Sequence, residues 1–470
     1  MAMLSRLWCR RKGALRRFSV GLIIAAAAWA QEHAAIENGL RPPVQIETRP
    51  EVRWKIGERM AHYKVPSVSV AMIKSGKIEW AHAWGGATPS TLFQAASISK
   101  PVAAVAALRL VELGKLSLDE DVNLKLKTWK VPASAAANRK PVTLRGLLSH
   151  SAGLTISGFP GYENGVMLPT VAQILDGVAP ANTKPVRVDI EPGTTYRYSG
   201  GGYTVMQQLM EDVTGKTYAE IAKELVLKPA GMKRSTYIQP LPAALQAEAA
   251  RGYDGERKLI GGGWHNYPEQ AAAGLWTTPS DLARFLIAVQ KGKLLSAAMM
   301  AEMLTARHGS YGLGWELSQA GTADERFAHS GGNAGFRCYA FSYRNRGDGF
   351  VVMTNGDGGS SLGSEIVRSV AAARKWAGLG QELKRLHPMS NEELAAYAGD
   401  YSVGEMKVKL SVRGEGLALT IGSDLGDLFP ESATRFFSME NGIPAFIFER
   451  DGSGKVTGFQ AGRLVGTRVR

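Results

Sequence analysis

The residues best suited to chemistry in this chain stand at Ser97-Ile98-Ser99-Lys100, the single S-x-x-K in the sequence. A serine hydroxyl is a poor nucleophile until a base comes within hydrogen-bond reach. An amine three residues further along a helix lies one turn away on the same face and can supply that base. Lys100 suits the task if burial lowers its pKa toward neutrality, because desolvation disfavours the ammonium. The start of a helix adds backbone N–H groups without intrahelical partners, which favour a negative oxygen developing on an attacked carbonyl. The chemistry read from this pair is acyl transfer through a covalent acyl-serine. An ordinary capping serine followed by a surface lysine is the plain alternative.

The pair has company in a fixed order. Phe93–Pro101 (FQAASISKP) is followed by Leu147–Leu154 (LLSHSAGL), Pro192–Gly200 (PGTTYRYSG), Ala273–Ala283 (AGLWTTPSDLA), Tyr311–Trp315 (YGLGW) and His329–Gly332 (HSGG). This series, reaching from about Trp54 to Trp376, resembles the penicillin-binding-protein and class C β-lactamase superfamily of serine hydrolases. The resemblance implies an α/β fold with a DD-peptidase/β-lactamase-like antiparallel sheet, flanking helices and a helical insert. It implies Ser97 as nucleophile, Lys100 as its proton partner, and Tyr198, which matches the tyrosine of a Tyr-x-Asn motif, as base and later acid. An unperturbed tyrosine titrates near ~10, so a phenolate role needs a nearby cation such as Lys100. The implied oxyanion hole is the backbone N–H of Ser97 and of Gly332, and the implied substrate-binding residues are His329, Ser330, Gly331 and Gly200. His150 falls in a motif that is structural in the family, as a buried, hydrogen-bonded histidine.

Two departures bear on substrate. Gly200 stands where the motif usually has asparagine, so the amide that would hold a substrate's acylamino group is missing. His329 stands where β-lactamases usually have lysine, and an imidazole with pKa ~6.5 is mostly uncharged at neutral pH. The expected function is therefore an acyl-enzyme hydrolase of amide or ester bonds, of the class C β-lactamase or D-alanyl-D-alanine carboxypeptidase type. Carboxylesterase or D-amino-acid peptidase activity is the alternative on the same fold, and a penicillin-binding sensor without turnover is the alternative outside catalysis.

The elements that must position these residues are legible in outline. Ser67–Lys74 and Lys77–Trp84 read as strands joined by a Ser75-Gly76 hairpin turn. A helix is expected from Ser97, with Val102, Val105, Ala106, Leu108 and Leu113 on its period, Pro101 in its first turn and Gly114 at its end. Helices are expected over Thr170–Leu175, Tyr203–Val213, Tyr218–Leu227, Asp281–Gln290, Ser296–Leu304 and Ser364–Trp376, with strands at Cys338–Arg344 and Phe350–Thr354. The sheet then draws on both ends of the domain, with a helical insert between them. Alternation at Val408, Leu410 and Val412, at Leu417, Leu419 and Ile421, and at Phe446 and Phe448 predicts a small antiparallel barrel or sandwich over 391–470, resembling the lipocalin-like modules appended to some relatives. Trp276, Trp315, Tyr196 and Phe336 suit either the cleft or the core.

Composition bounds the rest. The 470 residues are 45% hydrophobic and 21% charged, ordinary for a folded chain of two domains. Arg6, Arg10, Arg11, Lys12, Arg16 and Arg17 precede an apolar run ending in Ala28-Trp29-Ala30, the layout of a secretory leader over residues 1–30. Domains are expected over 31–385 and 391–470, with the protein exported to the periplasm or beyond and no stable membrane span after cleavage. The leader holds six of the basic residues behind the formal +14 and no acidic ones, and the remainder are scattered, which argues against nucleic acid. The expected partner is a small-molecule or peptide substrate. Cys338 remains as a lone thiol, read as a buried apolar residue, and no disulfide is expected. The eight histidines are dispersed with no H-E-x-x-H, so neither metal nor cofactor is expected. Gly359–Gly363 satisfies G-x-S-x-G, but only His387 follows it, too close to form the triad of an α/β-hydrolase.

Overall fold

The computed structural model describes residues 33–469, so the leader expected over residues 1–30 lies outside the described residues. The chain divides into two units: Met60–Gly363, and the described residues up to Arg59 together with Ser364 onward.

The first unit is built on six antiparallel strands: β1 (Ser67–Lys74), β2 (Lys77–Gly85), β3 (Glu316–Ser318), β4 (Arg326–Asn333), β5 (Phe336–Tyr343) and β6 (Gly349–Thr354), in the order β2-β1-β6-β5-β4-β3. Both ends of the unit meet where β1 pairs with β6, Ala71 opposite Val351. The β1–β2 hairpin turns on Ser75 and Gly76, both at positive φ, which gives the handedness that a two-residue loop needs to match strand twist. Every residue of β1 from Ser67 to Ile73 is buried, Ser67 and Ser69 included.

Between the two halves of the sheet lie the helices, including α1 (Ser99–Glu112), α2 (Gly200–Thr214) and α3 (Pro279–Gln290). α1 is buried almost all round, and the small residues Ala103, Ala104, Ala106 and Ala107 let neighbouring backbones come close. It starts two residues later than the sequence predicts, because Ala96–Ile98 form a 3-10 turn ahead of it and Ser97 sits on that turn. α2 starts earlier than predicted. Its first turn is three glycines, poor helix formers that hide the start in the sequence, yet Ser199 caps it by accepting from the Gly202 N–H at 2.9 Å. Packing demands the small residues: a Cβ on Gly201 would lie 2.8 Å from the Thr155 carbonyl oxygen. The helix expected over Tyr218–Leu227 is α-helical to Ala222 and π-helical over Lys223–Leu227.

α4 (Gly359–Arg374) begins five residues before the predicted Ser364, which puts Ser361 of the G-x-S-x-G run in an ordinary first helical turn. In the second unit eight strands close into an antiparallel barrel: β7 (Gly399–Val403), β8 (Met406–Arg413), β9 (Gly416–Ile421), β10 (Ser423–Pro430), β11 (Arg435–Ser438), β12 (Phe446–Arg450), β13 (Val456–Ala461) and β14 (Leu464–Arg468). Pairing of β7 with β14, Tyr401 opposite Arg468, completes the circle and leaves no free edge. Tyr397, Tyr401, Phe436, Phe448 and Phe459 fill its core. Among the described residues no helix is long and apolar enough to cross a membrane.

Candidate active site

Ser97 is presented by a backbone under strain. Ala96, immediately before it, has φ of +48°, a left-handed conformation that a residue with a Cβ adopts at a cost of about 1–3 kcal/mol. The surroundings hold it there. The Ala95 N–H donates to the Leu275 carbonyl at 2.8 Å, and the Cys338 thiol donates to the Ala95 carbonyl at 2.9 Å. β4 passes so close that a Cβ on Gly331 would stand 2.3 Å from the same Ala95 oxygen. Cys338 is thus the buried small residue expected, its thiol pushed up by desolvation.

The first turn of α1 brings the Lys100 Nζ to 3.0 Å from Ser97 Oγ. Its second partner is the Ala272 carbonyl at 2.9 Å. Lys100 is only 2% exposed, and desolvation alone brings its amine down to about 7. Hydroxyl and amine thus stand within hydrogen-bond reach of each other, with the amine brought near neutrality.

The Tyr198 ring centroid lies 4.8 Å from Lys100 Nζ, and its phenol stands close enough to Ser97 to be lowered by it. Burial raises its phenol well above the ordinary range, outweighing the lowering by the Ser97 contact, so it is a neutral proton donor at physiological pH rather than a phenolate. His150 fixes it from both sides along the chain. Its carbonyl accepts from the Arg197 N–H at 2.8 Å, its Nδ1 accepts from the Ser199 N–H at 3.0 Å, and its ring packs on Tyr198 at a 37° tilt with centroids 4.2 Å apart. Since Nδ1 accepts, the neutral ring carries its proton on Nε2, and desolvation with the nearby Lys100 and His329 keeps it neutral. His150 is therefore the buried, hydrogen-bonded histidine expected.

β4 supplies the other wall. Its residues alternate, with Ser330 and Gly332 exposed and His329, Gly331 and Asn333 buried. His329 is 1% exposed and both ring nitrogens are engaged: Nδ1 donates to the Ser330 carbonyl at 2.6 Å, and Nε2 accepts from the Tyr311 hydroxyl at 3.0 Å. Desolvation, with Lys100 nearby, takes it down to about 3, so it is uncharged throughout the physiological range. Gly200, the first residue of α2, is buried as well. A Cβ there would lie 3.0 Å from the Phe159 ring and 3.1 Å from the Ser157 carbonyl oxygen, so a side chain at this position would have to push one of them aside by a few tenths of an ångström.

Ser97, Lys100 and Tyr198 are therefore together, with Ser330 and Gly332 on the exposed face of β4, whereas the side chain of His329 and the Cα of Gly200 face inward. Trp276, Trp315 and Phe336 are core residues, and Tyr196 at 41% exposure is at the surface. Two participants escaped the sequence reading. Tyr311, noted only as part of YGLGW, donates its hydroxyl hydrogen to His329, and the Ala272 carbonyl accepts from Lys100, which no side-chain pattern reveals. Among the described residues no group of three or more His, Cys, Asp or Glu could hold a metal ion.

A Ser-x-x-Lys turn at the head of a buried helix, flanked by a tyrosine and by a glycine-bearing strand of an antiparallel sheet, defines the β-lactamase and penicillin-binding-protein class of fold and site. The chain belongs to the Beta-lactamase family, whose sequence profile matches residues 52–374. It is similar to a D-aminopeptidase of Brucella anthropi, 26% identical over 321 aligned positions, with 64% of this chain and 58% of that protein covered. The match thus spans little more than half the length of that relative. Penicillin-binding protein 4* of Bacillus subtilis is 24% identical over 436 residues, covering 82% of this chain and 93% of that one. Among solved structures, the octameric penicillin-binding protein homologue from Pyrococcus abyssi shares the fold with a TM-score of 0.57 at 24% identity, over 88% of this chain and 98% of that one.

Proposed function

We propose that the protein is a serine hydrolase that forms an acyl-enzyme on Ser97 and cleaves ester and amide bonds, those of D-amino acids included. The observation that carries this reading is the 3.0 Å contact between Ser97 Oγ and an amine that burial has brought to about 7. At neutral pH a large share of that amine is free to take the hydroxyl proton as Oγ attacks the acyl carbon. The carbonyl oxygen becomes the oxyanion, with the N–H groups of Ser97 and Gly332 as its donors. As the tetrahedral adduct collapses, the departing alcohol or amine takes the phenolic proton of Tyr198, which regains one from the Lys100 ammonium beside it. Water then adds to the acyl-serine by the same route, releasing the acid and restoring the Ser97 hydroxyl. Lys100 is the base in this scheme because burial keeps Tyr198 a phenol.

Substrate preference follows from two side chains. An uncharged, inward-facing His329 offers no cation to a substrate carboxylate, and Gly200 offers no amide. Esters and D-amino-acid amides are therefore favoured over β-lactams, in keeping with the similarity to a D-aminopeptidase. The basic and apolar pattern of residues 1–30 supports export to the periplasm or the cell exterior, where such small or peptide substrates would be met.

Assaying the protein side by side with a p-nitrophenyl ester, a D-alanyl peptide and a chromogenic cephalosporin tests the reading. The ester and the peptide should turn over faster than the cephalosporin, and Ser97→Ala should abolish all three together with labelling by a fluorophosphonate. Faster cephalosporin turnover would overturn the substrate assignment. Stoichiometric labelling without turnover would make the protein a sensor instead.

A further inference from the structure

Within the unit Met60–Gly363 a cavity of about 660 Å³ shares no lining residue with the Ser97 site. Its walls are two loops, one running from Gly86 to Thr91 and the other from Ala247 to Arg257, closed by Ser67 and Asn355. Asn355, 4% exposed, ties the walls together: its Oδ1 accepts from the Ser67 N–H at 2.7 Å and its Nδ2 donates to the Arg251 carbonyl at 2.9 Å. The Arg251 stem lies over Gly263, where a Cβ would come within 3.6 Å of its Cγ. The main chain at Arg257 is held at φ of +62° by its N–H donating to the Asp254 carbonyl.

The charges of this cavity do not balance. Glu248 is neutralised by Arg234, while among the described residues the guanidinium groups of Arg251 and Arg257 have neither an acidic partner nor a hydrogen-bond acceptor. Arg251 and Arg257, both exposed, line one concave site, and guanidinium forks match the paired oxygens of a carboxylate or phosphate. The hydroxyl-bearing residues Ser67, Thr88, Ser90, Thr91 and Tyr253 alternate in the lining with apolar ones such as Pro66 and Ala249, and the volume falls in the range of small-molecule sites.

We infer that this cavity binds an oxyanion, a carboxylate or phosphate group carried on a polar body, as a second site apart from the Ser97 cleft. Titration calorimetry of the full chain with inorganic phosphate and with succinate, and with uncharged mannitol as control, tests it. The expected result is saturable one-to-one binding of at least one anion, weakened about tenfold or more in R251Q/R257Q and unchanged in S97A. The anion that binds more tightly identifies the chemistry of the natural ligand. Loss of saturable binding for both anions, equal affinity in R251Q/R257Q, or abolition of binding by S97A would each overturn the inference. If the double glutamine variant fails to fold, R251K/R257K keeps the charge and removes the forks. Its affinity should then fall, and parental affinity in that variant would count against the site.

Discussion

At the scale of single residues, Lys100 is the one to watch. Its ammonium would lose its hydration shell and find only a hydroxyl and a carbonyl in exchange, which is why desolvation brings the amine to about 7. Below that pH the proton occupies the position the serine proton must enter, so ester hydrolysis, read as kcat/KM, should rise through about 7 as pH increases. A profile flat across that range would remove Lys100 as base. The same shift acts on stability. Between about 7 and ~10.4 the unfolded chain holds the proton that the folded chain has released, so the contribution of Lys100 to stability rises with pH over that window. Lys100→Met should therefore gain stability relative to the parent as pH falls from about 9 to about 6, measured by denaturant midpoints. Tyr198→Phe keeps the ring packed on His150 and deletes only the phenolic hydroxyl. It should leave the melting temperature nearly unchanged and lower kcat/KM by about 10²–10⁴-fold.

At the scale of elements, the site depends on how closely β4 approaches the turn before α1. Gly331 and Gly332 are neighbours of the same type with different roles. A methyl on the first would meet the Ala95 oxygen at 2.3 Å, whereas a methyl on the second would make ordinary contacts at 3.5 Å with the Arg337 side chain. Gly331→Ala should therefore cost about 1–3 kcal/mol and displace Ser97 with the turn, abolishing probe labelling. Gly332→Ala should fold like the parent. If calorimetry and labelling found the two variants equal, the close approach of strand and turn would not be what holds Ser97 in place. His150 belongs to the same scale, since its main chain and ring pin the residues on either side of Tyr198 from a separate segment.

For the whole molecule, the described segments 33–59 and 364–469 belong to one unit. Arg59 donates from Nε and Nη2 to the fully buried Glu365 carboxylate at 2.7–3.1 Å, which joins the N-terminal segment to α4. Breaking a buried pair on one side leaves an uncompensated charge, so Arg59→Met should destabilise that unit by about 3–5 kcal/mol. Arg59 also contacts Glu440 at 3.2 Å, so Arg59→Met with Glu365→Leu should recover part of the loss, and chemical denaturation of the single and double variants measures the difference. A single variant as stable as the parent would show that the pair contributes nothing.

Much of this was present in the order of residues alone. The S-x-x-K spacing places hydroxyl and amine one helical turn apart whatever surrounds them, and strict alternation in residues 391–470 defines strands because side chains on a strand point to opposite faces in turn. The beginnings of α1 and α2 were less visible, since a strained alanine and three glycines carry no helical signal and are tolerated only because of what packs against them. Tertiary structure alone decided the states of the ionisable groups. Burial brought Lys100 down, pushed Tyr198 up and left His329 neutral and turned inward, and desolvation depends on residues far away in sequence that no local spacing encodes.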